Sequence, residues 1–382
     1  MHFRSTLNLG LILIGCVATE LASGQEFRLA DEKPLPIGDT DDELTRLLKS
    51  RRNELLAACQ DLHSLHRAGR VPTSQLLETA VQFGTADVDA RADVAQLFHG
   101  RKLALAAVRE IETLVRARMQ RDLEPAHVIH QTTALVLDAE IALLRAQQSE
   151  LSAAQLAEQK QQLEKLRDQR DKAILDEVVA RMALFRAGRM LLEGISAAME
   201  RQVALAAASA AEPAARQKSL ESILERAKSV EKIIAEKVAA EAEPEFALQR
   251  VAYLRLEAEI ALRRAKASDR DDPQLRQLLR ARYDAVTGEL EAIRALYLGG
   301  RRSPYVMIHA ALRQARAGVE LAESPAQRIK LLTDPYTLLA EVENTVREKV
   351  ANGVEPSQVL HVATASRLAV EIELLRARRE PQ

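Results

Sequence analysis

The sequence predicts an all-α protein built from three tandem repeats, each with four helices in antiparallel hairpins and roughly 115 residues. The first observation is composition: 382 residues include 14 Gly, 12 Pro, no Trp and 3% aromatic residues. The remaining sequence is rich in Ala, Leu, Glu, Arg and Gln, which favour helices over strands. The second observation is that two strings recur three times. The third is that Gly and Pro fall between apolar runs of helical period, where helices begin and end.

The recurring strings mark two fixed points in each repeat. One is a helical run that ends RAGR at 67–70, RAGR at 186–189 and LGGR at 298–301. The other starts at a Glu-Pro pair and ends DAEIALLRA at 138–146, EAEIALRRA at 257–265 and AVEIELLRA at 369–377. Because stacked repeats need the same joint at each step, we interpret these strings as packing units rather than three active sites.

Punctuation residues divide each repeat into four helices. Thr40 before an acidic turn predicts the start of the first helix, and Gly69 its end. The arginines after the glycines, Arg70, Arg189 and Arg301, are expected to bond the last carbonyls of that helix. Later helices should begin near Pro72 and Pro304, near Asp93, Glu212-Pro213 and Ser324-Pro325, and at the Glu-Pro pairs at 124, 243 and 355. The junction at 149–152 has no breaker, so one helix over 126–187 is an alternative.

The fourth helix of the first repeat has an apolar stripe at spacings of one, three and four. Its members are Val128, Ile129, Thr132, Leu135, Val136, Ala139, Ala142, Leu143 and Ala146. Such a stripe requires a partner helix, and its alanines allow close approach. We therefore predict coiled-coil-like or solenoid packing of helical hairpins.

The first residues read as an export signal. Arg4 precedes an apolar run over 7–18, and small residues precede Gln25, which predicts a signal peptide over 1–24. LIGC at 13–16 also resembles a lipobox, so a lipoprotein signal over 1–15 with lipidation at Cys16 is the alternative. We predict a linker at 25–39 and repeats at 40–148, 149–267 and 268–382. The protein is expected in the periplasm or at the outer membrane, with membrane contact by a lipid anchor or a partner.

Charge and motifs argue against several functions. The 54 basic and 55 acidic residues are interleaved and give a net charge of -1. The sequence therefore has no run of positive charge that would indicate binding to nucleic acid or to an anionic membrane. No P-loop, dinucleotide fingerprint, GxSxG elbow or HExxH occurs. The repeated Glu140, Glu259 and Glu371 are expected to form packing contacts, since a catalytic carboxylate also needs a pocket and a second positioned group. We predict that the protein is not an enzyme.

One group of side chains could bind zinc or copper. Cys59, His63 and His66 lie on one face of the first helix, and His127 and His130 begin the fourth helix at the same end of the bundle. A thiolate with imidazoles suits either metal. However, Cys59 aligns with Val178 and Leu290, which are apolar. The competing interpretation is that Cys59 and His66 fill core positions.

Some strings resemble a known family. ALFRAGR at 183–189, LYLGGRRSP at 296–304 and RLEAEIALRRA at 255–265 are similar to helical repeats of the TolC outer-membrane efflux family. The resemblance implies long antiparallel hairpins and a place in efflux. That family also has strands forming a trimeric barrel, and no alternating strand segments occur here. Our leading hypothesis is an exported, non-enzymatic scaffold or adaptor that binds protein partners, or further copies of itself, through helical faces. The alternatives are an efflux-system component and a periplasmic metal-binding protein.

Overall fold

The computed structural model describes residues 31–91, 94–147, 153–208, 213–266 and 272–380. These ranges contain twelve α-helices and no strand, which confirms the all-α fold with four helices in each repeat. The predicted signal segment and Cys16 lie outside the described residues. Their assignment stays a prediction.

The helices follow one another along the chain in three sets of four. The first repeat contains α1 (Glu43–Arg67), α2 (Thr73–Ala90), α3 (Val94–Met119) and α4 (Ala126–Ala146). The second contains α5 (Ala153–Arg186), α6 (Leu192–Ala207), α7 (Pro213–Ala239) and α8 (Phe246–Lys266). The third contains α9 (Pro273–Leu298), α10 (Pro304–Leu321), α11 (Pro325–Ala351) and α12 (Ser357–Arg379).

Each first helix ends in the same capping structure. Gly69, Gly188 and Gly300 have φ of +71°, +68° and +69°, a conformation that glycine adopts without a Cβ clash. The next main-chain N–H, that of Arg70, Arg189 or Arg301, donates to the carbonyl of Leu65, Leu184 or Leu296. We name these turns, at 68–72, 187–191 and 299–303, the glycine turns. The arginines therefore bond the last carbonyls of the helix, as expected, and the group that does so is the main-chain N–H.

One predicted boundary needs correction, and one alternative is excluded. Thr40 does not cap α1, because Asp42 lies nearer to the first turn and its side chain accepts a hydrogen bond from the Thr45 N–H at 2.8 Å. A single helix over 126–187 is also wrong. Helix α4 ends at Ala146, and α5 begins at Ala153. Helix α5 has 34 residues against 25 in α1 and 26 in α9, so the second repeat begins with about two extra turns.

Within each repeat, every helix packs against the next, and the second helix also contacts the fourth. The predicted stripe of α4 packs into the core through Val128, Leu135, Val136 and Leu143. A second set of α4 side chains is also buried, namely Gln131, Ala134, Leu137 and Ile141. The single predicted stripe was therefore incomplete, because α4 lies between α3 of its own repeat and α5 of the next.

The three repeats close into a ring. Helix α4 packs on α5 and α8 packs on α9, and α12, the last helix, packs on α1, the first. The Ser357 hydroxyl donates to the Asp61 carboxylate at 2.6 Å. His361 Nδ1 lies 2.7 Å from Glu54 Oε2. The hairpin stack predicted from the sequence is confirmed, and its closure is a feature that the repeat pattern did not indicate.

The second helices of the repeats lie towards the middle of the ring. His309 Nδ1 on α10 lies 3.2 Å from Glu78 Oε1 on α2, although these helices belong to different repeats. Glu200 on α6 lies near Arg313 on α10, and burial raises the pKa of the Glu200 carboxyl despite that positive neighbour. Helix α10 therefore lies near the second helices of both other repeats, which places these helices on the inner side of the ring.

Candidate functional site

The five predicted metal ligands do not form a site. Cys59 is fully buried in the apolar core, and burial raises the pKa of its thiol far above the ordinary range. That shift disfavours the thiolate a metal requires. His63 Nε2 lies 3.1 Å from Glu110 Oε1 on α3, and His66 Nδ1 lies 3.2 Å from the Val71 carbonyl oxygen. Across the described ranges, no three His, Cys, Asp or Glu side chains are placed to hold a metal ion.

His127 and His130 remain on α4, apart from that group. His127 is buried, and its Nδ1 has no hydrogen-bond partner. Burial, together with the positive charges of the nearby Arg181 and His130, lowers the pKa of His127 to about 4. The five residues therefore do not converge into one cluster in the described structure, and zinc or copper binding stays a prediction. The interpretation of Cys59 and His66 as core residues accounts for the burial of both.

Buried charges occur instead at the joint between the first and second repeats. Glu177 on α5 is fully buried and accepts hydrogen bonds from Arg181 at 2.8 Å and from Arg201 on α6 at 2.7 Å. Arg181 also donates to the Gln131 side chain on α4 at 2.7 Å. A single carboxylate thus links three helices across a repeat boundary.

The joint between the second and third repeats has a buried glutamate at the same repeat position, with different arginine partners. Glu289 on α9, which aligns with Glu177, is fully buried and accepts from Arg250 on α8 at 2.7 Å and from Arg313 on α10 at 2.8 Å. Arg250 aligns with Gln131, and Arg313 aligns with Arg201. Both joints therefore bind one buried glutamate to two arginines, which come from two neighbouring helices at the second joint and from α5 itself and α6 at the first.

The closing joint between α12 and α1 lacks this network. Ala58 aligns with Glu177 and Glu289, and Val362 aligns with Gln131 and Arg250. Ala58 and Val362 pack together in one apolar cluster with residues of the third repeat. Among the described residues, the ion pairs of this joint lie at its edges, where Arg379 lies 3.0 Å from Asp42 and His361 pairs with Glu54.

Two related grooves open between the second, third and fourth helices of a repeat. The groove of the first repeat has a volume of about 400 Å³, and the groove of the second, also bounded by α10, about 320 Å³. Each groove is lined by an acidic residue at the same repeat position, Asp138 in the first and Glu257 in the second. Each pairs at 2.9 Å with an arginine of the next repeat, Arg170 or Arg282. These carboxylates therefore serve the joints and are not free for acid or base chemistry.

One end of the ring carries both kinds of short turn. The glycine turns lie at the same end as the Glu-Pro turns at 120–125, 240–245 and 352–356, because successive helices run in opposite directions. Thr73, just after a glycine turn, donates to the Glu124 carboxylate at 2.5 Å. Arg302 of the third glycine turn lies 5.6 Å from the Phe246 ring centre, at the start of α8. We name this surface the turn face.

The chain was compared with protein families and with curated proteins. No protein-family model matches it. No curated protein matches it significantly either. None of the helices in the described part of the chain combines the length and apolarity needed to cross a lipid bilayer.

Sequence reasoning missed the residues that join the repeats. Glu177 and Glu289 lie at the same position of the first helix, and Arg201 and Arg313 at the same position of the second. The available signal was a repeated charge on a helix face otherwise lined by apolar residues. The glutamates of the recurring string, in contrast, pair with nearby arginines, as Glu140 does with Arg109 and Glu259 with Arg255.

Proposed function

We propose that this protein is an exported, non-enzymatic scaffold or adaptor of a bacterial cell envelope that binds protein partners through the outer faces of its helices. The observation that carries the proposal is the closed ring with its internal charges occupied. Among the described residues, each buried arginine, aspartate and glutamate has an ionic or hydrogen-bonding partner within the chain. The interior therefore supports the shape, and recognition is left to the outside.

One outer helix face is suited to a partner. Leu175 and Val179 lie one turn apart on α5, and their exposed fractions are 39% and 58%. The aligned residues on α9 are Thr287 and Glu291, which are polar. Exposed apolar residues on one repeat only, at a position polar in another, favour a partner-binding patch over a requirement of the fold.

Export and partner binding can be tested in one bacterial strain. A photo-crosslinking amino acid is placed at Val179, and at Glu291 as the matched position on α9. We expect the chain outside the cytoplasm and a discrete adduct from position 179 only. A variant with Leu11→Arg and Leu13→Arg should stay inside and lose the adduct. Retention of the unaltered chain in the cytoplasm, or the same adducts from both positions, would contradict the proposal.

A second candidate is a component of an efflux system. The observation in its favour is the threefold arrangement within one chain, because a ring of three repeats matches the symmetry of a trimeric partner. The TolC family, whose repeats these strings resemble, forms such trimers. Symmetric crosslinks from aligned positions of all three repeats to one trimeric protein would favour this candidate, and adducts from the α5 patch alone would favour the adaptor.

A further inference from the structure

The glycine turns carry arginine side chains that the fold does not use. The main-chain N–H groups of Arg70, Arg189 and Arg301 complete the helix caps, and this function does not depend on the side chain. Arg67 and Arg186 lie just before the same turns. All five arginines are exposed, and none of them forms an ion pair with a described residue.

This group differs from many other arginines of the ring. Many of those on the helix sides pair with neighbours, as Arg116 does with Glu112 and Arg294 with Glu341. In the third glycine turn, Arg302 lies 3.6 Å from Glu193. The five unpaired arginines therefore place positive charge in the glycine turns and just before them, although the whole chain has a net charge of only -1.

Exposed apolar side chains accompany these arginines. Leu191 and Leu298 flank two of the glycine turns and are 68% and 75% exposed. Leu123 and Val354 in the Glu-Pro turns of the same face are 58% and 69% exposed. Nine large apolar side chains are exposed among the described residues, and four of them lie at this one end of the ring, a concentration that a bound surface would explain.

Acidic side chains on the turn face are confined to the Glu-Pro turns and their edges. The second of these turns carries Glu241, Glu243 and Glu245, whereas the first has Arg121 and Asp122 side by side. The glycine turns at 68–72, 187–191 and 299–303 contain no acidic residue. Basic and apolar side chains thus share three turns that point in one direction, spaced around the ring.

We propose that the turn face binds an anionic phospholipid surface, with the five arginines on lipid phosphates and Leu191 and Leu298 among the headgroups. Arginine binds phosphate through paired N–H donors, and each basic residue near an anionic surface adds to the attraction. Apolar side chains at the boundary supply the second contribution that stable attachment needs. This inference rests on the proposed function in one respect, since an envelope adaptor needs a surface on which to present its partner.

The probe is a set of vesicles of phosphatidylcholine with and without phosphatidylglycerol, used with the full chain. Every variant carries the same N-terminal segment, so differences between variants report on the turn face. We expect binding to the anionic vesicles that weakens with salt. Changing Arg67, Arg70, Arg186, Arg189 and Arg301 to Gln should reduce binding at least 10-fold. Leu191→Ser with Leu298→Ser should reduce it severalfold, with unchanged circular dichroism.

The matched control changes five exposed arginines at the opposite end of the ring, namely Arg145, Arg264, Arg276, Arg280 and Arg376, to Gln. We expect less than a twofold change in binding. Equal loss in both five-arginine variants would overturn the proposal, as would equal binding to vesicles with and without phosphatidylglycerol. Capture of an acidic protein by the same arginines, without vesicle binding, would also overturn it. The adaptor proposal is tested separately by the adduct at Val179, so either can fail alone.

Discussion

The joint between α8 and α9 and the joint between α12 and α1 are equivalent, since each packs the fourth helix of one repeat on the first helix of another. The first is held by buried charged side chains and the second by apolar ones. In the first, Glu289 lies between Arg250 and Arg313, all buried or nearly so. In the second, Ala58 and Val362 occupy the positions of Glu289 and Arg250 and pack in an apolar cluster. The geometry of the repeat therefore does not require a particular side-chain set, only complementary partners on the two helices.

The charged joints and the apolar joint should differ in how strictly they fix the positions of their helices. A buried glutamate with two arginines is stable only when all three residues meet, because a buried charge left without its partner is costly. Apolar packing at α12 and α1 tolerates variation in contact, and the edge pairs Glu54 with His361 and Asp42 with Arg379 lie where water weakens them. We infer that the charged joints fix register within the chain and the apolar joint closes the ring.

The largest effect should follow from removing the buried carboxylate. Glu289→Ala leaves Arg250 and Arg313 buried without their shared partner, and we expect a loss of about 3 to 5 kcal/mol in the free energy of unfolding. Glu291→Ala, two positions beyond on the exposed side of α9, should change it by less than about 0.5 kcal/mol. Denaturant unfolding measures both. Similar values for the two variants would show that the network contributes nothing to the joint.

The next largest loss of stability should follow from placing a charged residue in the apolar closing joint, and added arginines test whether this joint can hold the network of the α8–α9 joint. Ala58→Glu places a carboxylate in an apolar site, and we expect a loss of roughly 3 to 4 kcal/mol. Adding Val362→Arg and Gln82→Arg, which reproduces the residues of the α8–α9 joint, should restore part of that stability. The triple variant is compared with Ala58→Glu by denaturant unfolding. No recovery would mean that the two joints differ in geometry as well as in chemistry.

A smaller effect should depend on pH. The folded pKa of His127 is about 4, below its ordinary value of 6.5, so the neutral form is favoured by folding. Its stabilisation is therefore full above pH 6.5 and is lost as pH falls towards 4, by no more than about 3 kcal/mol. His127→Phe, the residue found at 246, should flatten this decline. Thermal unfolding between pH 4 and pH 7 measures it, and an unchanged decline would exclude His127 as the cause.

His361, at the closing joint, should give stability the opposite pH dependence. The hydrogen bond to Glu54 raises the pKa of His361 above its ordinary value. Its stabilisation is present below pH 6.5 and is lost as pH rises through the folded pKa. His361→Gln, the residue found at 249, should therefore lower stability at pH 5.5 more than at pH 8. Thermal unfolding at these two values gives the comparison, and equal losses would contradict the pairing with Glu54.

The smallest effect concerns a turn rather than a joint. Glu241 has φ of 55°, while Gly353 at the aligned position has φ of 70°. A left-handed conformation is unfavourable for a residue with a side chain, so Glu241→Gly should stabilise by about 0.5 to 1 kcal/mol. Ala242→Gly, the adjacent residue without a positive φ, should destabilise. Calorimetry resolves both, and destabilisation by both glycines would show that backbone strain at 241 is negligible.

The sequence was sufficient for the local part of the fold. Repeated RAGR and Glu-Pro strings placed the helix ends near Gly69, Gly188 and Gly300, since capping depends on residues adjacent in the chain. Whether three repeats close into a ring depends on the rotation from each repeat to the next. That rotation results from many contacts at each joint, so no single residue or motif predicts it. The predicted metal ligands do not converge for a similar reason. Helical spacing put Cys59, His63 and His66 on one face, but the packing of α1 gave each a different neighbour.

Closure of the ring is tested most directly by a disulfide between α1 and α12. Asp61→Cys and Ser357→Cys are introduced together with Cys59→Val, which removes the buried thiol. Because the native side chains meet at 2.6 Å, we predict rapid oxidation of the folded chain to a species with altered mobility on a non-reducing gel. The control pair is Asp61→Cys with Glu245→Cys, the position of Ser357 in the second repeat, and it should stay reduced. Identical behaviour of the two pairs would contradict a closed ring.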